Sequence, residues 1–496
     1  MVFFELMSSA RRLHDLPHPL ELAHVYAQEI AKLRDKETRK ADGQYFTSPE
    51  VATFMASLCS LERSHFRILD PGSGTGILAC ALAMELAEAK PAPREISITA
   101  YETEVDTASR LTKVLENLQR VLARRRVTVL YEVRQHDFIL ERHKLRSECT
   151  PGFDAVIMNP PYFKINKSDA RAAAFPEVCY GQPNIYALFM ALGIESLAPS
   201  GQMISITPRS FMSGEYFRAF RTWSLKISCP DRFHLFRSRD KAFGHDEILQ
   251  ENVIIRWNKT PARSNSPVML STSTEANDVH KTPAMPVTLS ALVDLGSNKL
   301  LMHLPADESE LRAVNLLRQH SHALHTLGLS VNTGRVVAFR ASQWLRTIPH
   351  KSEIVVPLIW LNHVDRGQIR WKLPCSSKPE WIAVQEETMP LLIPRDNYVL
   401  VRRFSSKDDR YRVIAAPLYA EEINSAFIGI ENHLNVIGLP EASNNAETAK
   451  VVSDYLNSDS VESFMRSLSG NTQIGAAELM SLPAPAALLD SVSSNN

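Results

Sequence analysis

The sequence predicts an α/β protein: a doubly wound, largely parallel sheet in its first half and a separate α+β domain after it. Three observations carry this. From Phe66 onward, short buried strands alternate with amphipathic helices; a glycine-rich turn sits at the first strand-to-helix junction; and beyond about Leu300 the pattern becomes irregular, after a stretch rich in Ser, Thr and Pro. The length of 496 residues also exceeds one typical domain.

Each element follows from its residues. Leu20, Leu22, Val25, Ile30 and Leu33 recur among charged residues, giving an N-terminal helical segment over 1–40. Residues 67–70 form a short apolar strand ending on an acid, 72–76 the turn, and Ile77–Glu88 an alanine-rich helix. A strand at 96–101, a helix at Val105–Ala123 and strands at 127–135 and Phe153–Met158 complete the repeating unit. This places one domain at 41–260. The Ser/Thr/Pro/Ala/Asn-rich run over 260–287 is expected to belong to a linker or long surface loop, 261–299. The second domain is expected at 300–496, with strands near 354–360, 368–371 and 398–403.

Composition excludes several classes. No run of about eighteen apolar residues is present, and the first residues lack the basic start and cleavage site of a signal peptide, so a cytoplasmic protein is expected. Cys59, Cys80, Cys149, Cys179, Cys229 and Cys375 include no C-x-x-C pair, so neither a zinc ribbon nor a disulfide framework is indicated, and no metal is expected. Lys plus Arg equals Asp plus Glu, 55 against 55, which argues against tight, purely electrostatic nucleic-acid binding while permitting a local basic cleft.

The D-P-G-S-G-T-G run over 70–76 follows a strand and opens a helix, so Gly72, Gly74 and Gly76 let the backbone pass close to a ligand facing a helix N-terminus, with Asp70 beside them. The spacing is neither G-x-G-x-x-G nor a phosphate loop, and a tight turn without ligand is the competing reading. Glu102, ending the second strand, can accept two hydrogen bonds from a ribose diol; a surface glutamate is the alternative, with Glu104 a rival for the role. Asp137, after the third strand, can accept from the amine of a cofactor's adenine, although a lone Asp there is more often a turn residue.

N-P-P-Y at 159–162 follows the buried strand Phe153–Met158. A nucleobase amine is a poor nucleophile because its lone pair is delocalised into the ring. Two acceptors aimed at the amine hydrogens draw that pair out, and the Asn159 side-chain oxygen and the Pro160 carbonyl are suited to this, with Tyr162 stacking on the base. A Pro-Pro turn with an incidental aromatic is the competing reading.

F-T-S-P at 46–49, the 70–76 turn, Glu102, Asp137 and Asn159 to Tyr162 resemble, in this order, the motifs of adenine-N6 DNA methyltransferases of the gamma arrangement, in which a target-recognition domain comes last. The resemblance implies a Rossmann-like S-adenosylmethionine-dependent catalytic domain. It implies that Tyr45, Phe46 and Thr47 cover the methionine part of S-adenosylmethionine. It also implies that Phe243 stacks on the flipped adenine opposite Tyr162; a core phenylalanine is the alternative. The stretches 331–340, 401–410, 431–435 and 470–479 are similar to the BsuBI and PstI branch of type II modification methylases. The branch implies a bacterial enzyme meeting double-stranded DNA at the nucleoid, with CTGCAG as the site its named members act on.

Candidate phosphate contacts are Arg335, Arg340, Arg402, Arg403, Lys407, Arg410 and Arg412, each with a solvated surface charge as its alternative; the run at 124–126 is assigned no DNA role. Competing functions are a release-factor glutamine or ribosomal RNA methylase sharing N-P-P-Y, which needs no large C-terminal domain, and a non-catalytic specificity protein, which needs neither Glu102 nor Asn159. Cytosine N4 is disfavoured by the family pattern. No nuclease-sized region remains, so any cognate restriction endonuclease is expected to be a separate chain; whether one exists, and monomer or dimer, stay open.

Overall fold

The computed structural model describes residues 16–33, 46–146, 152–236, 252–320, 322–373, 377–405, 410–468 and 473–493. The chain divides into two compact units, Met1–Leu304 and Pro305–Asn496. Among the described residues, no helix is long and apolar enough to cross a membrane.

The first unit runs α1 (Pro19–Leu33), α2 (Pro49–Ser57), β1 (His65–Pro71), α3 (Ile77–Glu88), β2 (Glu95–Tyr101), α4 (Val105–Ala123), β3 (Thr128–Arg134), α5 (Phe138–Leu145), β4 (Phe153–Met158), α6 (Ala170–Ala174), α7 (Ile185–Ser196), β5 (Leu197–Pro208), α8 (Arg218–Ile227), β6 (Cys229–Phe236), β7 (Asn252–Asn258), β8 (Pro267–Ser273) and β9 (Met285–Thr288). These strands form one nine-stranded sheet in the order β3-β2-β1-β4-β5-β7-β6-β8-β9. Strands β3 to β5 in that order are parallel, so their carboxyl ends open on one side. The order reverses between β1 and β4, where doubly wound sheets bind ligands.

Helix α3 is apolar on all sides, and accordingly seven of its first residues through Ala83 are buried rather than one stripe. Helix α4 is amphipathic, with Leu111, Val114, Leu115, Leu118 and Leu122 buried at helical spacing. Both share a core with α1, α2, Ala155 and Ile157. On the opposite face of β4, Val156 and Met158 meet α7. A Cβ on Gly193 of α7 would lie 2.6 Å from Met158 Cε, so this glycine sets how closely the helix lies on the sheet.

The stretch read as a linker, 261–299, is a correction. It supplies β8, paired with β6, and β9, paired with β8. The Ser/Thr/Pro-rich composition misled because these are outer strands: of β8 only Val268, Leu270 and Ser273 are buried, and Pro286 sits on the edge strand, where a missing N–H is tolerated. The unit ends at Leu304, close to the boundary expected from sequence.

The second unit runs α9 (Glu308–Arg318), β10 (Ser330–Thr333), β11 (Leu345–Arg346), β12 (Val355–Ile359), β13 (Trp381–Ala383), β14 (Leu392–Pro394), β15 (Tyr398–Arg402), β16 (Ala415–Leu418), β17 (Phe427–Ile430), β18 (Leu434–Gly438), α10 (Ala446–Leu456) and α11 (Asp459–Leu468). Its principal sheets are an antiparallel four-stranded one, β10-β18-β15-β16, and a five-stranded one, β11-β13-β12-β17-β14. Two of the expected late strands match β12 and β15 within two residues. The third shrinks to Gln368–Ile369, paired with Val364–Asp365.

Arg221 of α8 is fully buried and ties down the chain around it. Its guanidinium donates to the carbonyls of Phe211 (2.8 Å), Gly214 (2.8 Å) and Lys299 (3.0 and 2.8 Å). Burial pulls its pKa down to about 10, still leaving it charged at neutral pH. Arg221→Met, which leaves these carbonyls without a donor, is expected to cost about 2–4 kcal/mol, read as a lower urea midpoint for the first unit's unfolding transition.

Candidate active site

The glycine turn connects β1 to α3. Gly72, Gly74 and Gly76 all have positive φ (72°, 55° and 85°), and a Cβ on Gly76 would meet Leu111 Cδ1 at 2.5 Å, so position 76 is closed to larger residues on both counts. Gly76 is also the N-cap of α3 and has no side chain to offer. Asp70 takes over that task from the preceding strand: its Oδ2 accepts the N–H of Ala79 at 3.2 Å, one of the orphan donors of the first turn. Burial pushes the Asp70 carboxyl up to about 7, the Ala79 bond working against it. Asp70 and Gly76 therefore shape the turn from beneath, while Gly72 and Gly74 border the cavity above it.

That cavity, of about 290 Å³, is bordered by Gly72, Gly74, Phe46, Thr47, Glu102, Asp137 and Asn159, so seven residues singled out in five separated motifs meet there. Glu102 stands at the end of β2 with its carboxylate between two amides: Oε2 accepts Gly74 N–H at 3.0 Å and Oε1 accepts Glu104 N–H at 2.9 Å. Burial raises its pKa, while these amides lower it. Each oxygen retains acceptor capacity beyond its amide, which suits a pair of hydroxyls. Glu104 borders the cavity too.

Asp137 satisfies both readings of its motif. It is the N-cap of α5, accepting Leu140 N–H at 3.0 Å, and it borders the cavity. Its Oδ2 lies 3.9 Å from Arg171. Arg171 forks onto Asp169 (2.9 and 2.7 Å), and that guanidinium holds the Asp169 carboxyl down at about 2.

The F-T-S-P run divides its labour. Ser48 caps α2 through Val51 N–H, Pro49 opens the helix, and Phe46 and Thr47 are left at the cavity. Thr47 Oγ1 accepts from Asn159 Nδ2 at 3.1 Å, which fixes the Asn159 amide with its oxygen on the other side. The Tyr162 hydroxyl donates to that oxygen and also lies 2.9 Å from the Ile206 carbonyl. Its ring meets Tyr186 edge-on, with centroids 6.1 Å apart. Pro160 is buried and does not border the cavity, whereas Pro161 does. Tyr45 and Phe243 lie outside the described residues.

Sequence reasoning missed the cavity's aromatic walls, Phe138, Phe163 and Phe189, and Arg171. Phe138 and Phe163 directly follow Asp137 and Tyr162, so position alone marked them. Phe189 sits in a helix apolar throughout, where no pattern distinguishes a wall from a core residue.

Of the arginines in the second unit, Arg402 and Arg412 are committed internally, which corrects their expected place as DNA contacts. Arg402 donates to the Val364 carbonyl (2.6 Å) and to Asp365 (3.2 Å). Arg412 is only 7% exposed and donates to Ser405 and to the Gln473 carbonyl. Arg335, Arg340 and Arg410 are exposed and Arg403 half-buried. Lys407 lies outside the described residues.

A family model, the Eco57I restriction-modification methylase, matches residues 79–243. The chain is 31% identical over 453 residues to the type II methyltransferase M.PstI of Providencia stuartii, spanning 91% of this chain and 88% of that one. It is 30% identical over 454 residues to M.BsuBI of Bacillus subtilis, spanning 89% and 87%. Among solved structures, the type IIG restriction endonuclease BpuSI aligns with a TM-score of 0.49 and 14% identity over 95% of this chain and 63% of that one, too loose a match to carry an argument. Identity of nearly a third, sustained through both units of the chain, makes it a member of the type II methyltransferases of restriction-modification systems.

Proposed function

We propose that this chain methylates the exocyclic N6 of an adenine flipped out of duplex DNA, the first unit carrying the chemistry and residues 300–496 choosing the sequence. The observation that carries the reading is the Asn159 amide, fixed by Thr47 at the carboxyl end of β4 and bordering the same cavity as Glu102. S-adenosylmethionine is the cofactor, and the residues present fit it. Glu102 offers a fixed carboxylate to a ribose diol, Asp137 an acceptor beside it, and Phe46, Phe138 and Phe189 apolar walls. When bound, it supplies an electrophilic methyl group.

The chain's own residues prepare the nucleophile. Asn159 Oδ1 and the Pro160 carbonyl accept the amine hydrogens, stabilising the nitrogen as its lone pair leaves the ring, so they act most strongly in the transition state. No strong general base is required, because the nitrogen becomes acidic once alkylated. Tyr162 and Phe243 are the proposed stacking partners of the extruded base, offsetting lost stacking by about 1–3 kcal/mol each. The Tyr162 hydroxyl already donates to Asn159 Oδ1, so an entering amine has to share that acceptor with it. Arg335, Arg340 and Arg410 are the remaining proposed phosphate contacts. The reading extends to the cytoplasm, with any cognate endonuclease a separate polypeptide. Sequencing that detects methylated bases in DNA treated with the protein and cofactor tests it: N6-methyladenine at one sequence is expected, and methylcytosine or unmodified DNA refutes it.

Glu102→Ala is expected to weaken S-adenosylmethionine binding about 10–100-fold by calorimetry, the loss of one or two hydrogen bonds to a charged acceptor. Unchanged affinity would move the ribose to Glu104. Asn159→Ala should leave cofactor and DNA affinity nearly unaltered and cut single-turnover methyl transfer by a hundredfold or more, about 2.7–4 kcal/mol. Tyr162→Phe keeps the ring and removes one donor competing for Asn159 Oδ1, so its single-turnover rate should equal or exceed that of the unaltered protein, whereas Tyr162→Ala should lose about 1–3 kcal/mol of stacking. A large loss in Tyr162→Phe would instead give the hydroxyl a positive role.

A further inference from the structure

Four stretches that the sequence holds far apart meet at one end of the second unit's four-stranded sheet. Thr333 of β10 pairs with Asn435 of β18, and Gly334 N–H donates to the Leu434 carbonyl at 2.8 Å. Arg402 of β15 pairs with Leu434, and Arg403 N–H donates to the His433 carbonyl at 2.9 Å. Ile474 N–H closes the group on the Arg403 carbonyl at 2.7 Å, with Phe404 bridged to Gln473.

Two side chains at this end are held in a way that a plain turn does not need. Glu431 is 1% exposed, and burying a carboxylate is costly unless it is used. Its Oε2 accepts the His433 N–H at 3.0 Å, and its Oε1 lies 2.5 Å from His433 Nδ1. The imidazole it steers is itself 50% exposed and meets the Phe404 ring edge-on, centroids 4.8 Å apart. The buried Glu431 side chain and an aromatic ring thus flank a surface histidine, and among the described residues its Nε2 has no partner. Beside it, the Arg403 guanidinium reaches the Asn432 carbonyl at 3.3 Å and Gln473 Oε1 at 3.5 Å. These long contacts to neutral atoms orient the fork without neutralising it. No carboxylate among the described residues pairs with it, unlike Arg402, which has Asp365.

We infer that this end of the sheet is the base-reading surface of the second unit, with Arg403 presenting its fork to a guanine edge in the major groove and His433 reading an adjacent base through Nε2. The inference rests on the proposed division of labour between the units and names the residues that perform the choice. A planar, charged fork matches the two acceptors O6 and N7 of guanine, the commonest specific contact, and a fixed imidazole nitrogen pairs with one donor or acceptor on the neighbouring edge. Phosphate contacts, by contrast, position the protein and carry no sequence information. Arg335, exposed on the turn after β10, suits that role.

The test is the rate of methyl transfer by the full-length protein to a set of duplexes in which each base pair of the methylated site is changed in turn. Arg403→Ala and Arg403→Lys are both expected to lose about tenfold or more on the intact site and to level discrimination at one position while keeping it at the others. His433→Ala is expected to level a neighbouring position. Arg403→Lys retains the charge and differs least from the native side chain, so it keeps the test meaningful should Arg403→Ala misfold; calorimetric cofactor binding and thermal melting report that. If Arg403→Lys keeps full discrimination at every position, or Arg403→Ala slows all duplexes alike, Arg403 is a phosphate anchor and the inference is overturned. Failure of the unaltered protein to methylate any duplex would instead sink the proposed function itself.

Discussion

The carboxylate of Glu102, bridging the amides of Gly74 and Glu104, is the constraint on which the cavity depends. A glycine-rich turn with three positive φ angles has little to hold its shape by itself, since glycine gains more freedom on unfolding than any other residue. Glu102 joins that turn to the start of α4, and the Ser73 amide adds a second tie to the Tyr101 carbonyl at 2.8 Å. From below, Asp70 holds the first turn of α3. The floor is thus stitched to two neighbouring parallel strands, and the hydrogen bonds that stiffen it are those that aim Glu102 upward. Burial raises the pKa of this nearly buried side chain, and the same backbone amides that fix its position work against that rise.

The first half of the fold was legible because its physics is local. Helices α3 and α4 begin and end where the residue pattern places them, and β4 matches to the residue, since strands buried on both faces read as continuous apolar runs. The outer strands were not legible. β8 and β9 obtain stability from being added to a sheet already formed, so Ser, Thr and Pro are tolerated and local composition resembles a loop. In the second unit the strands are two to five residues long and pair with partners far along the chain; β12 lies between β13 and β17, and no periodicity of its own predicts either.

In the site, charged and amide residues at strand ends were legible, and partner choice was not. Glu102, Asp137 and Asn159 stood out because a polar group closing an apolar strand is unusual. Asp70 stood out for the same reason and proved to serve the helix, a distinction that depends on Ala79, nine residues on. Arg402 and Arg403 are adjacent in sequence and indistinguishable there. Their side chains separate because successive residues at a strand end point to opposite faces: one finds Asp365, the other an open surface.

The hydrogen bond between Thr47 and Asn159 spans 112 positions of sequence and has a consequence for the order of events. Phe46 borders the cavity while Thr47, its neighbour, grips the amide, so whatever restricts the first restricts the second. Filling the cavity therefore narrows the orientations open to Asn159 and lowers the entropy that a target base must still remove. Under the proposed function, thermodynamic linkage requires the effect to be mutual: a base seated against Asn159 would tighten the hold on the cofactor by the same factor. One hydroxyl, that of Thr47, thus ties the wall of the cavity to the amide at the end of β4.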